Sequence, residues 1–257
     1  MIFLGDIHAN FSYLTWYIKH GKITNESIIQ VGDYGLGFTS YENDLRVQSE
    51  LNNTLKKNNI ILYTIRGNHD NPYFWDGHLD GHFSNIYYLK DYSVLNIEGF
   101  NMLFIGGALS IDRKYRLKQM QTAASYGRDI ELYWFDEPFI LDKEKMENIK
   151  NIDIVVTHTS PDFCIPVNKF GFSPIVDEYA QYDKTLKDEL IEERKTVTEM
   201  WNILKKNSNP RMYLYGHFHI SNVVNIDGCE FRLLGINEWY SYKGKDYEDE
   251  LNKLYGK

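Results

Sequence analysis

The hydrophobic positions in the first third of the chain follow two alternating periodicities. Short apolar runs typical of buried strands occur at residues 2–5, 27–32 and 60–66. Between them, residues 10–20 and 41–58 carry apolar side chains at helical spacing. Short strands separated by helices are typical of parallel strands that are joined by helical crossovers. The pattern therefore predicts an α/β fold with a parallel sheet.

Short strands follow one another more closely in the middle of the chain. Residues 86–89, 92–97 and 100–106 form three apolar runs with only a few residues between them, which favours antiparallel pairing. Four further strands are predicted at residues 153–157, 211–215, 221–226 and 229–235.

Residues 177–206 have a long helical pattern. Their apolar residues lie mostly three or four positions apart: Tyr179, Tyr182, Leu186, Leu190, Val197, Trp201 and Leu204. An unbroken helix of this length would span about 45 Å. We expect it to be an insertion that packs on the body of one domain spanning residues 1–257. A partner interface or an element that covers substrate is the alternative.

Composition restricts the classes of function. The chain carries a net charge of −8, which argues against an extended nucleic-acid surface. Cys164 and Cys229 have no metal-binding or redox spacing. No apolar run is long enough for a membrane span, and the apolar start of the chain is too short for a secretory signal. We therefore expect a cytoplasmic protein.

Five strand-like runs are each followed by residues that can bind a metal ion. The residues at these strand ends are Asp6 and His8, Asp33, Asn68, His158, and His217 and His219. Glycine stands directly before the first donor at four of the five ends, where it allows a sharp turn. Ligand-binding loops of α/β sheets lie at the carboxyl ends of the strands. In extended backbone, His217 and His219 would also point to the same side.

This donor set predicts the kind of ion. Carboxylate, imidazole and amide donors suit divalent transition ions and not calcium, which prefers oxygen alone. Seven donors are too many for one ion, but they can serve two if a carboxylate bridges. Two ions roughly 3.5–4 Å apart suit an in-line displacement at phosphorus. With two Asp charges and one hydroxide, the centre would carry a charge of about +1 and would attract a phosphate oxygen.

The motifs GDIH, GD at 32–33, GNHD, the strand-end His158 and GHFH resemble those of calcineurin-like metallophosphoesterases, in the same order. The resemblance runs from residue 5 to residue 219 and implies a four-layer αββα sandwich. It implies that one ion is held by Asp6, His8 and His219, and the other by Asn68, His158 and His217, with Asp33 bridging. Manganese is the expected metal, with iron, zinc or nickel as alternatives.

The resemblance also implies a mechanism. A hydroxide that bridges the two ions would attack phosphorus. His69 would act as the general acid that protonates the leaving oxygen, and Asp70 would orient and charge the His69 ring.

Two departures from the family pattern narrow the substrate. The second motif reads GDYGLGF, where protein phosphatases of this superfamily have GDYVDRG, and the third reads GNHD instead of GNHE. The arginine that grips a phosphomonoester in those enzymes has no counterpart. We therefore favour a phosphodiester substrate, such as a nucleotide or cyclic nucleotide. A phosphomonoesterase that acts on small molecules or proteins and a catalytically silent scaffold remain as alternatives.

Other residues have two interpretations each. Arg113 and Arg116 follow the strand-end glycines of IGGALSIDRKYR and could bind phosphate, or could be solvated loop charges. Tyr34 could stack on a base or pack in the core. His78 and His82 lie four positions apart, a spacing that could bind a metal on a helix, but the two Asp-Gly pairs of DGHLDGH indicate a turn and therefore surface histidines.

Overall fold

The computed structural model describes residues 1–164 and 173–242. The strands are β1 Ile2–Leu4, β2 Ser27–Gln30, β3 Ile61–Thr64, β4 Ile86–Tyr88, β5 Ser93–Ile97, β6 Phe100–Ile105, β7 Ile154–Thr157, β8 Met212–Tyr215, β9 Asn222–Ile226, β10 Cys229–Leu233 and β11 Trp239–Ser241. The α-helices are α1 Phe11–His20, α2 Tyr41–Lys57, α3 Arg113–Ser125, α4 Lys143–Asn148, α5 Pro174–Tyr179 and α6 Leu186–Leu204. A short 3₁₀ helix covers Pro72–Trp75.

The strands form two mixed sheets. The first has the order β11-β1-β2-β3-β4, in which β11 is antiparallel to β1 and the other pairs are parallel. The second has the order β5-β6-β7-β8-β10-β9, with antiparallel pairs only at its two edges. The prediction of antiparallel pairing among the three middle strands is thus wrong for β4. It joins the first sheet in parallel with β3, and β5 begins the second sheet.

Apolar clusters show how the layers stack. Phe3 and Ile29 of the first sheet share a buried cluster with Phe104 and Val156 of the second, so the two sheets face each other. The outer face of the first sheet packs on α1 and α2. The outer face of the second packs on α4 and α6. This order of helices, sheet, sheet and helices is the predicted αββα sandwich.

The long helical pattern is divided. Helix α5 ends at Tyr179 and α6 begins at Leu186, so the single helix expected over residues 177–206 is not formed. The side chain of Asp183 is buried in the intervening turn, where it pairs with Arg113, and Asp is a poor helix former. Tyr182, expected on the apolar face, is 78% exposed. Helix α6 buries Leu190, Val197 and other residues against the body.

None of the helices within the described ranges is long and apolar enough to cross a membrane.

Candidate metal centre

The first group of strand-end donors lies at the carboxyl ends of β1, β2 and β8. Asp6, His8, Asp33 and His219 each offer one ligand atom, and these four atoms lie within 4.8 Å of one another. The Nε2 atoms of His8 and His219 are 3.0 Å apart. The Asp6 Oδ2 atom is 3.6 Å from His219 Nε2. Two imidazoles and two carboxylates therefore surround one small volume.

The second group lies at the ends of β3, β7 and β8. The Asn68 Oδ1 atom is 2.8 Å from His217 Nδ1 and 3.1 Å from His158 Nε2. The rings of His158 and His217 lie 5.2 Å apart, centroid to centroid. The amide oxygen of Asn68 thus faces two imidazole nitrogens.

Asp33 belongs to the first group and also faces the second. Its Oδ2 atom is 3.8 Å from His8 Nε2, and its Oδ1 atom is 3.1 Å from His158 Nε2. The Oδ1 atom also accepts a hydrogen bond of 2.8 Å from the backbone N–H of His69. The two oxygens of one carboxylate therefore face different groups of donors.

The surroundings of Asp6 and Asp33 suit a bound cation. Both side chains are almost completely buried. Asp6 Oδ1 and Asp33 Oδ2 are buried without a hydrogen-bond partner among the residues described. Burial raises the pKa of Asp6 well above its usual value, with Asp33 adding to the effect. Buried carboxylate oxygens without partners are costly, and a divalent ion would remove that cost. The residues therefore fit the divalent metals that the motifs imply.

His158 is held in one ring orientation. Its Nδ1 atom lies 2.8 Å from the carbonyl oxygen of Val31, so Nδ1 carries the hydrogen and donates it. The Nε2 lone pair then faces oxygens of Asp33 and Asn68, an arrangement that needs a proton or a metal ion. Burial lowers the pKa of His158, but Asp33 outweighs this effect and raises the pKa to about 9. A side chain at Gly32 would collide with this ring.

Several of the donor residues have a left-handed backbone conformation. His8, Asp33, His217 and His219 all have positive φ angles, of 44°, 54°, 73° and 57°. Such angles are uncommon outside glycine and concentrate at functional sites. The extended backbone expected for residues 217–219 is therefore wrong. The bend after β8 instead turns His217 towards Asn68 and His219 towards His8.

His69 lies at the side of the donor groups. Its ring is 5.2 Å from the ring of His8 and 6.2 Å from that of Phe38. Burial lowers the pKa of His69, and the nearby Asp33 carboxylate opposes that effect. None of the hydrogen bonds among the described residues engages either of its ring nitrogens.

The contacts of Asp70 differ from the predicted ones. Its carboxylate accepts hydrogen bonds from the backbone N–H groups of Tyr34, Gly35, Leu36 and Gly67. Within the described part of the chain, none of its hydrogen bonds reaches the ring of His69, so the expected orienting contact is replaced by bonds that hold the loop after β2. Burial and the nearby Asp33 raise the pKa of Asp70 to about 7.

Arg113 and Arg116 are both occupied by carboxylates. Arg113 pairs with Asp183 and Glu189, which hold the pKa of the guanidinium above its usual range. Arg116 is buried and pairs with Asp112 and Glu137. These contacts engage both arginines with carboxylates, and a role for either of them in binding phosphate stays a prediction.

Tyr34 is a core residue. Its side chain is fully buried, its hydroxyl donates a 2.7 Å hydrogen bond to Gln48, and its ring packs against Phe11. Burial raises its pKa well above the usual value. A base cannot stack on it. His78, for its part, stacks on Tyr73 at 3.8 Å, away from the donor groups.

Ser110, which belongs to none of the five motifs, supports the centre. The Nδ2 atom of Asn68 donates a 2.9 Å hydrogen bond to Ser110 Oγ, which directs Oδ1 of Asn68 towards the two histidines. The Ser110 N–H in turn donates to Glu137 at 3.1 Å. The sequence feature that could have indicated Ser110 is the pair Gly106–Gly107 at the end of β6, because paired glycines after a strand indicate another turn at this edge of the second sheet.

Comparison with protein families identifies the relationship that the site suggests. A sequence profile of calcineurin-like phosphoesterases, called Metallophos, matches residues 1–221. The chain belongs to this family. Members of the family are phosphoester hydrolases that use divalent metals, and the two mixed sheets described above agree with its fold. Comparison with curated proteins finds no match.

Solved structures with a similar fold are only distantly related in sequence. The protein TT1561 of Thermus thermophilus is 11% identical, with a TM-score of 0.46 over 91% of this chain and 89% of that chain. Phosphopantetheinyl hydrolase (PptH) from Mycobacterium tuberculosis is 13% identical, with a TM-score of 0.46 over 91% and 89%. An archaeal phosphodiesterase is 11% identical, with a TM-score of 0.35 over 92% and 84%.

Proposed function

We propose that this protein is a dinuclear, metal-dependent phosphodiesterase whose substrate is a nucleotide or a cyclic nucleotide. The observation that carries the proposal is the position of Asp33. One of its oxygens faces His158 and the other faces His8, so a single carboxylate can contact two ions. Bridging carboxylates are a common means of keeping two catalytic ions close together.

Each ion would have its own set of protein ligands. Asp6, His8 and His219 would hold the first, Asn68, His158 and His217 would hold the second, and Asp33 would contact both. Manganese fits these donors, as do iron, zinc and nickel. When bound, the ions would make a nucleophile from water at neutral pH and attract the phosphoryl oxygens.

His69 would act as the general acid that gives a proton to the leaving oxygen. It is the histidine beside the donor groups whose ring nitrogens are engaged by no hydrogen bond in the described residues, so it is free to face a leaving oxygen. Burial lowers its pKa, but the negative charge of a bound phosphate ester would favour the protonated ring. The protonated ring would then donate its proton to the departing alcohol.

The ion pairs of the nearby arginines favour a diester. Arg66 donates to Asp91 and to backbone carbonyls, and Arg113 and Arg116 pair with other carboxylates. A phosphomonoester carries nearly two negative charges at neutral pH, so its recognition gains more from a free arginine than that of a singly charged diester.

Hydrolysis of matched chromogenic esters tests this function. We expect bis-p-nitrophenyl phosphate to be cleaved faster than p-nitrophenyl phosphate in the presence of Mn²⁺, and both activities to disappear in EDTA. Asp33→Ala provides the control for contaminating enzymes and should be inactive. A clear preference for the monoester would favour a phosphomonoesterase. No hydrolysis of either ester with any of the four metals would favour a silent scaffold.

A further inference from the structure

Phe38 is an exposed aromatic residue beside His69. It follows the loop that begins with Asp33, and its side chain is 36% exposed. Its ring lies 6.2 Å from the His69 ring, at an interplanar angle of 33°. The ring of His8, a member of the first donor group, also neighbours the His69 ring, with centroids 5.2 Å apart. His69 is therefore close both to that donor group and to an accessible phenyl ring.

The backbone that carries Phe38 is held on both sides. Before it, the Asp70 carboxylate accepts three hydrogen bonds from residues 34–36. Next to it, Asp44 accepts from the Gly37 N–H at 3.0 Å and from the Thr39 hydroxyl at 2.5 Å. Gly37 has a φ of 102°, and a side chain there would collide with Asn71. Hydrogen bonds thus hold the backbone before and after Phe38.

The Phe38 ring is also supported from the side. Trp134, which is buried, contacts it edge-on at 5.2 Å and an angle of 75°. The loop that carries Trp134 is itself held, because Arg66 donates to the carbonyls of Asp136 and Glu137. A single exposed phenylalanine on a surface needs no explanation. Phe38 differs from such a residue, because it is packed against a buried tryptophan and lies beside the expected proton donor.

We propose that Phe38 determines specificity by stacking on a planar group in the alcohol half of the ester, of which a nucleobase is the natural example. This inference rests on the proposed function, because it takes His69 to face the leaving oxygen. A group attached to that oxygen passes close to the Phe38 ring. Bases stack on aromatic side chains with little regard for sequence, since every base has a π-face.

Binding of inert analogues tests the proposal without turnover. The probes are the P-methyl esters of the phosphonate analogues of AMP and of ribose 5-phosphate. Carbon replaces the bridging oxygen, each probe carries a single negative charge as a diester does, and the two differ in the adenine. We expect the full-length, Mn²⁺-loaded protein to bind the adenine compound about tenfold more tightly in calorimetry. Phe38→Ala and Phe38→Leu should remove this preference, and Phe38→Tyr should keep it.

The matched control is Phe135→Ala. Phe135 is 80% exposed and packs against Tyr133, so its loss should leave both affinities unchanged. The proposal is overturned if the wild-type protein binds the two analogues equally, or fails to bind either. It is also overturned if Phe38→Ala weakens both equally, which would indicate a purely structural role.

Failure of this proposal is distinguishable from failure of the proposed function. Diester hydrolysis by a protein without adenine preference would leave the function standing and remove the role of Phe38. A preference lost in Phe38→Ala, in a protein that hydrolyses no ester, would support the stacking surface and contradict the activity.

Discussion

At the residue scale, the histidines of the centre differ in how firmly they are held. His158 is fully buried, and the Val31 carbonyl engages its Nδ1 atom. His217 is engaged by Asn68. His69 is partly exposed, and within the described ranges its hydrogen bond to the centre is made by its backbone N–H, which donates to Asp33. Fixed rings suit metal ligands, whereas a ring with free nitrogens suits proton transfer.

This difference predicts the effect of His69→Ala. The metal content should stay that of the wild type, and cleavage of a dialkyl phosphate should fall at least roughly 100-fold. Cleavage of bis-p-nitrophenyl phosphate should fall much less, because p-nitrophenolate leaves without protonation. Metal analysis and initial rates on the two esters check this. His78→Ala is the matched control. Equal losses on both esters, or loss of metal, would contradict the general-acid role.

The sequence reveals some of these residues better than others. The seven donors are visible because each follows a short apolar strand in the sequence. The contacts of Arg113 are not visible, because its partner Asp183 lies 70 positions away. The hydrogen-bond donors of Asp70 are not visible for a related reason, since they are the backbone N–H groups of a distant loop.

At the element scale, local periodicity predicts helices and strands but not their breaks or partners. Helix α2 was expected at residues 41–58 and occupies Tyr41–Lys57. The break between α5 and α6 contains Asp183, which forms a tertiary ion pair with Arg113 that no helical pattern reveals. Local sequence likewise does not reveal the partner of β4, which pairs in parallel with β3 and not with the strand that follows it in the chain.

That ion pair gives a prediction about stability. Arg113→Ala would leave Asp183 buried without its partner, so we expect the free energy of unfolding in urea to fall by about 3 kcal/mol. Adding Asp183→Ala should recover part of that loss. Hydrolysis should be retained at temperatures where the variant is folded, because Arg113 is engaged by Asp183 and Glu189.

Arg46→Ala is the control for this prediction. Arg46 pairs with Glu50 on the exposed face of α2, and exposed pairs contribute at most about 1 kcal/mol. A similar loss of stability in both variants would contradict the structural role of Arg113. Loss of substrate binding in a fully folded Arg113→Ala protein would support the phosphate-binding role.

At the scale of the whole molecule, the centre is assembled by the sandwich. The first sheet supplies Asp6, His8, Asp33, Asn68 and His69, and the second supplies His158, His217 and His219. The two sheets pack face to face through an apolar cluster, so their carboxyl ends meet at one edge. A protein with a net charge of −8 can therefore still present a local site for an anion once divalent ions are bound.

Anomalous diffraction from crystals grown with Mn²⁺ would show whether this edge binds two ions joined by Asp33. We predict two peaks, one among Asp6, His8 and His219 and one among Asn68, His158 and His217, both within bonding distance of Asp33. A single peak, or peaks that Asp33 does not contact, would contradict a dinuclear centre bridged by Asp33.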